Sequence, residues 1–92
     1  MERRHEPLPG LRPHPLRALR SRFNLTAREL AEASGLVVQK IYAAEYSPWI
    51  PHALRNVYAA LGVDVEALRL DVAAWSEEAK RKRLAELQER LA

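Results

Sequence analysis

Cysteine is absent from the 92 residues. That excludes disulfides and cysteine-based zinc sites, and it suits a reducing compartment. Long apolar runs are missing too: no stretch approaches the ~20 residues needed to span a bilayer. The opening MERRHEPLPG follows its charges with prolines instead of an apolar run, so it does not read as a secretory signal. The expectation is a cytoplasmic protein with no membrane contact. Glycine is scarce, and its three isolated copies build no phosphate-cradling loop. Three histidines, two aspartates and four serines form no nucleophile–base pair, carboxylate pair or metal-ligand spacing. No enzyme activity, metal or cofactor is expected. Period-two alternation is missing as well, which leaves an all-α chain.

What is present suits one small folded domain. The chain is 48% hydrophobic and 29% charged, too apolar for a disordered segment. A core this small makes self-association relevant to stability. The net charge of +3 is unevenly spread. Residues 1–25 carry six arginines against Glu2 and Glu6, residues 26–63 balance, and residues 64–92 hold six basic against seven acidic groups. The excess positive charge therefore lies at the N-terminal end, where phosphate would be met.

Residues 1–14 are rich in proline and arginine and read as an extended basic arm, with His5 and His14 solvated. Arg3, Arg4 and Arg12 suit a minor groove, though a disordered terminus is the favoured reading. Pro15 fits the first turn of a helix over residues 15–23, with Leu16, Leu19 and Phe23 at helical spacing. Thr26-Ala-Arg-Glu29 is a capping box that starts a second helix, ending near Ser34, and Gly35 suits its left-handed terminus. A third helix over 37–45 turns Ile41 and Ala44 inward and stops before Ser47-Pro48. Pro51 opens a fourth, with Leu54, Val57, Tyr58 and Leu61 as its apolar stripe and Gly62 as its stop. Asp64 is an N-cap for a fifth segment carrying Val65, Leu68, Val72 and Trp75. Ser76-Glu77-Glu78 resembles a fresh cap, and the spacing leaves open whether the last segment is separate or continuous.

The segment LTARELAEASGLVVQKIYAAEY, residues 25–46, resembles the helix-turn-helix of the lambda-repressor-like (Xre/Cro-type) family. Ala31 stands where the two helices cross, Gly35 in the turn, and Leu30, Leu36 and Ile41 between the helices and the bundle. The flanking segments match as well, so about residues 15–70 are covered, including the Ala-Leu-Gly-Val63 that ends the fourth helix. The resemblance implies a five-helix domain over 15–70. Beyond it, the narrow apolar stripe of an amphipathic C-terminal helix over 71–92 suits either a dimerisation element or folding back on the domain, with self-association slightly favoured. The resemblance also implies a homodimeric transcriptional regulator, a repressor in the first instance, that binds double-stranded DNA. Its helix 37–45 would enter the major groove, with Val38, Gln39, Tyr42 and Ala43 at base edges. Arg17, Arg20, Arg28 and Lys40 would meet phosphate.

Two features depart from the family pattern. Val37 stands where a capping Ser or Thr is usual, and the following loop, Tyr46-Ser-Pro-Trp-Ile50, carries no charge. Tyr42, Tyr46 and Trp49 would instead suit a protein partner, as would Leu84, Leu87 and Leu91 on the last helix. The alternative function is a protein-interaction adaptor on the same scaffold, such as an antitoxin or a phage protein that binds a host factor. In the last segment, i,i+4 spacing pairs Glu77 with Arg81, Glu78 with Lys82 and Glu86 with Arg90.

Overall fold

Capping and stopping residues bound most of the helices: His14 at the start of the first, Thr26 and Gly35 at the two ends of the second, and Asp64 at the start of the last. The structure, a computed structural model, describes residues 10–92. The N-terminal expectations for Arg3, Arg4 and His5 fall outside them. Five helices and no strand occur among the described residues: α1 (Pro15–Arg22), α2 (Ala27–Ser34), α3 (Val38–Ala44), α4 (His52–Ala60) and α5 (Val65–Leu91).

The capping box at α2 forms as expected. Thr26 Oγ1 accepts from Glu29 N at 3.0 Å, and Glu29 Oε1 accepts from Thr26 N at 2.8 Å. Gly35 ends α2 at φ +78°, with its N–H donated to Ala31 O. A Cβ built there would meet nothing within 4 Å, so the backbone angle alone requires glycine. Asp64 caps α5 by accepting from Ala67 N. Beyond that cap no glycine or proline interrupts residues 65–91, and α5 runs as one helix. Ser76 is therefore buried in mid-helix rather than opening a new one. At 1.5 Å per residue, 27 residues extend about 40 Å, most of the 48 Å length of the molecule.

The core gathers Leu16 and Leu19 from α1, Leu30 and Ala31 from α2, and Ile41 and Ala44 from α3. Ala27 of α2, Ile50 of the loop after α3, Leu54 and Tyr58 of α4, and Leu68 and Val72 of α5 complete it. α2 packs on α3 and α4, whereas α1 and α4 pack on the N-terminal half of α5. Phe23 and Leu61, placed on apolar stripes by their spacing, sit at the edge, 37% and 46% exposed. Their positions at helix C-termini turn them away from the closely packed centre.

The segment before α1 departs most from expectation. Residues 11–13 follow a turn at Gly10 without regular structure, as expected, but Arg12 holds them against α5. Arg12 binds Asp71 at 2.8 Å and Glu78 at 3.0 Å, and its carbonyl accepts from Trp75 Nε1 at 2.8 Å. Arg12 is thus engaged by two carboxylates instead of standing free for a groove. Glu78, expected to pair with Lys82, bonds Arg12, and Glu77 pairs with Lys80 at i,i+3 instead of Arg81, while Glu86 meets the expected Arg90 at 3.9 Å and also Arg83 at 3.1 Å.

His14, expected in solvent, is buried. Its Nδ1 accepts from Leu16 N at 3.1 Å and caps α1, while Nε2 lies 2.8 Å from Ser47 O. Its ring also meets Trp75 edge-on at 4.7 Å. Only a neutral ring with its proton on Nε2 satisfies both hydrogen bonds. Burial lowers the His14 pKa below its ordinary 6.5, against a smaller opposing effect of the Ser47 carbonyl. In the acid range the unfolded chain binds a proton that the folded ring refuses. The contribution is therefore complete above pH 6.5 and is lost as pH falls toward the folded pKa. Denaturant melts across this range should show stability falling with acidification. His14→Asn, which can cap without titrating, should flatten that slope; equal slopes would contradict the assignment.

Candidate nucleic-acid interface

The α3 helix is held firmly at one end and loosely at the other. At its C-terminal end Glu45 is buried, 2% exposed, and receives Arg20 of α1 through Nε at 2.6 Å and Nη2 at 3.1 Å. Arg20 Nη1 also donates to Leu25 O at 3.3 Å, which ties in the connection between α1 and α2. The Glu45 carboxylate raises the Arg20 pKa above its ordinary value, so the guanidinium stays charged. Arg20 is consequently a strut between α1 and α3. This corrects its assignment to phosphate: its fork is occupied by a carboxylate. Beside the pair lies Tyr58, whose buried hydroxyl has no hydrogen-bond partner among the described residues; burial pushes its pKa up to about 12.

At its N-terminal end α3 lacks a side-chain cap. Val37 adopts the extended geometry of an N-cap, φ −74° and ψ 154°, but offers no acceptor. Its side chain is 58% exposed. Val38 turns partly inward and packs against the core, which withdraws it from the outer face expected of it. The reason is helical phase: Val38 lies three residues before the fully buried Ile41, on the same side of the helix.

The remaining outward positions fall as the spacing implies. Gln39, Lys40, Tyr42 and Ala43 are all exposed, with Tyr42 at 48%. Arg28 on α2 is exposed and lines a shallow groove with Glu32, Gly35, Val37 and Gln39, between the end of α2 and the start of α3. On α1, Arg17 is exposed, and its Nη1 lies 3.5 Å from the Tyr46 hydroxyl, a contact at the outer limit of hydrogen bonding. Three cations from three helices thus border the outer face of α3.

The loop after α3 is shaped by Ser47, whose hydroxyl accepts from Trp49 N at 3.1 Å and whose carbonyl meets His14. Ile50 anchors the loop in the core, Tyr46 is half-buried, and Trp49 is 77% exposed. Leu84, Leu87 and Leu91 of α5 are exposed as well. Among the described residues no cluster of three His, Asp or Glu side chains forms a metal site, and no helix is long and apolar enough to cross a membrane. Sequence reasoning missed Glu45, although a carboxylate one residue beyond the inward-facing Ala44 was the available signal. No protein-family model, curated protein or solved structure matches the chain.

Two substitutions probe the two ends of α3. Glu45→Ala strands the Arg20 charge and should cost about 3–5 kcal/mol. Arg20→Met combined with Glu45→Leu should recover most of that in chemical denaturation, and an uncoupled double mutant would contradict the strut. Val37→Thr supplies the missing cap and should add about 1 kcal/mol of stability; a loss would show that the N-terminal turn is arranged differently.

Proposed function

We propose that the protein is a sequence-specific DNA-binding regulator that reads the major groove with the outer face of α3. The observation that carries this reading is the arrangement around that helix. Its inner side is locked into the core through Ile41 and Ala44, while Gln39, Lys40, Tyr42 and Ala43 face outward. Exposed Arg17 and Arg28 flank it on neighbouring helices. A rigid helix with a short polar outer face is what base reading requires, and flanking cations supply the phosphate contacts that fix its register.

Within this reading Gln39 pairs its amide with a base edge, adenine N6 and N7 being the matching pattern. Ala43 meets a thymine methyl, and Tyr42 reaches a base edge or a phosphate. Arg17, Arg28 and Lys40 hold the backbone. Regulation by occlusion, as a repressor, needs no further domain, and the compartment implied is the cytoplasm. The similarity of residues 25–46 to the lambda-repressor-like helix-turn-helix supports the same reading.

Trp49 supports a second reading, in which the scaffold binds a protein. A tryptophan 77% exposed beside an uncharged turn is a natural hot spot for a protein partner. Duplex titrations at several salt concentrations separate the two. DNA reading with three phosphate cations predicts log K falling with log salt at a slope of about −2.7 per binding unit. Lys40→Ala or Arg28→Ala should each reduce the slope by about one. Gln39→Ala should cost about 1–3 kcal/mol on the preferred sequence and little on others. Absence of binding at low salt would reject DNA reading and leave the Trp49 surface as the functional one.

A further inference from the structure

The segment before α1 is fastened to the body very unevenly. At its far end Gly10 comes beside Lys82, where a Cβ on the glycine would lie 3.4 Å from Nζ. Next, Arg12 is 40% exposed and its partners Asp71 and Glu78 are 48% and 33% exposed, so water and salt screen both ion pairs. The Trp75 indole adds one hydrogen bond, to the Arg12 carbonyl. The buried fastening is His14, which is 3% exposed. A strap of five residues therefore runs along α5 from Lys82 to Trp75 and ends on one imidazole.

We propose that a proton on His14 unfastens this strap while the five helices stay folded. The geometry sets donors and acceptors against any added proton. Nε2–H already donates to Ser47 O, so the only vacant ring position is Nδ1, which accepts from Leu16 N at 3.1 Å. A proton there would set one N–H against another at hydrogen-bond distance, and the charged ring has to leave its place. Burial outweighs the groups around the ring: the Ser47 carbonyl, Glu45 at the end of α3 and Asp71 on α5 favour the charged form, and Arg12 opposes it. Leaving the pocket frees the ring from that burial. With the ring gone, residues 10–13 keep only screened ion pairs and one hydrogen bond. The body does not need His14 to the same degree. Leu16 and Leu19 hold α1 in the core, Ile50 holds the loop after α3, and Leu68 and Val72 hold α5. Release of the strap is thus a local opening, separate from the loss of global stability with acid. It leaves Arg12 without its carboxylates, uncovers Trp75, and takes the imidazole from the Ser47 carbonyl in the loop after α3. Between pH 6.5 and the pKa of the buried ring, each unit of acidification multiplies the open population by about ten.

The inference does not depend on DNA reading, and its test contains no DNA. A nitroxide on Lys82→Cys is unique, because the chain has no cysteine. At neutral pH it should broaden the amide signals of Gly10, Leu11 and Arg12 in nuclear magnetic resonance. Below pH 6.5 the broadening should fade in step with the ring-carbon shifts that mark protonation of His14, while the Tyr58 and Val72 amides keep their folded positions. In His14→Asn, which caps without titrating, the broadening should persist over the same range. A strap that stays beside the label after the ring is charged overturns the inference. So does release at the same pH in the asparagine variant, which would assign it to Asp71 or Glu78. Release that coincides with loss of the Tyr58 and Val72 signals would make it unfolding of the whole domain, and a ring that stays neutral for as long as the chain is folded would leave no switch. The comparison of ring and label in the His14 protein decides the matter even where the variant fails to fold.

Discussion

The ion pair between Arg20 and Glu45 is the constraint on which the candidate interface depends. α3 has only seven residues, too few to be helical alone, and no side-chain cap at its start. Its placement comes from outside: from Ile41 and Ala44 in the core, and from a buried carboxylate at its end gripped by α1. The pair joins the first helix to the third across the bundle, so any rotation of α3 would strip one charge of its partner. Breaking such a pair costs far more than the pair contributes over an apolar replacement. Its role is to specify where α3 lies.

A second set of contacts does the same for the longest helix. Arg12, His14 and Trp75 join the chain before α1 to the middle of α5, and His14 reaches onward to the loop after α3. One buried imidazole thus connects the start of α1, the α3–α4 loop and α5. This network explains how a small core carries a helix of 27 residues, much of it unsupported. It also makes His14 one source of acid sensitivity. The outer face of α3 is left free of structural duty, polar and bordered by cations, and the last turns of α5 expose Leu84, Leu87 and Leu91.

The local rules were legible in the sequence because they depend on neighbours along the chain. The Thr26 capping box, the left-handed Gly35, the Asp64 cap and the inward phase of Ile41 and Ala44 all follow from spacing. The first four helices and the start of the fifth follow with them. What spacing could not reveal were contacts between distant segments. Arg20 looked like any exposed helix arginine until Glu45 was brought against it. His14 and Arg12 looked like parts of a solvated arm because Trp75, Asp71 and Glu78 lie some sixty residues further on. Val38 was set outward by analogy, whereas its three-residue offset from Ile41 carries it partly inward. Ser76 resembled a cap because serine and two acids make one, but nothing before it breaks the helix.

The central claim, that the bundle exists to present the outer face of α3 to DNA, is tested most directly by mapping duplex DNA onto the backbone amides by nuclear magnetic resonance at low salt. The account predicts shifts concentrated at Gln39, Lys40, Tyr42 and Ala43, with satellites at Arg17 and Arg28 and none along the Leu84–Leu87 stripe. Shifts confined to α5 or to the Trp49 loop, or no shifts at all, would contradict it.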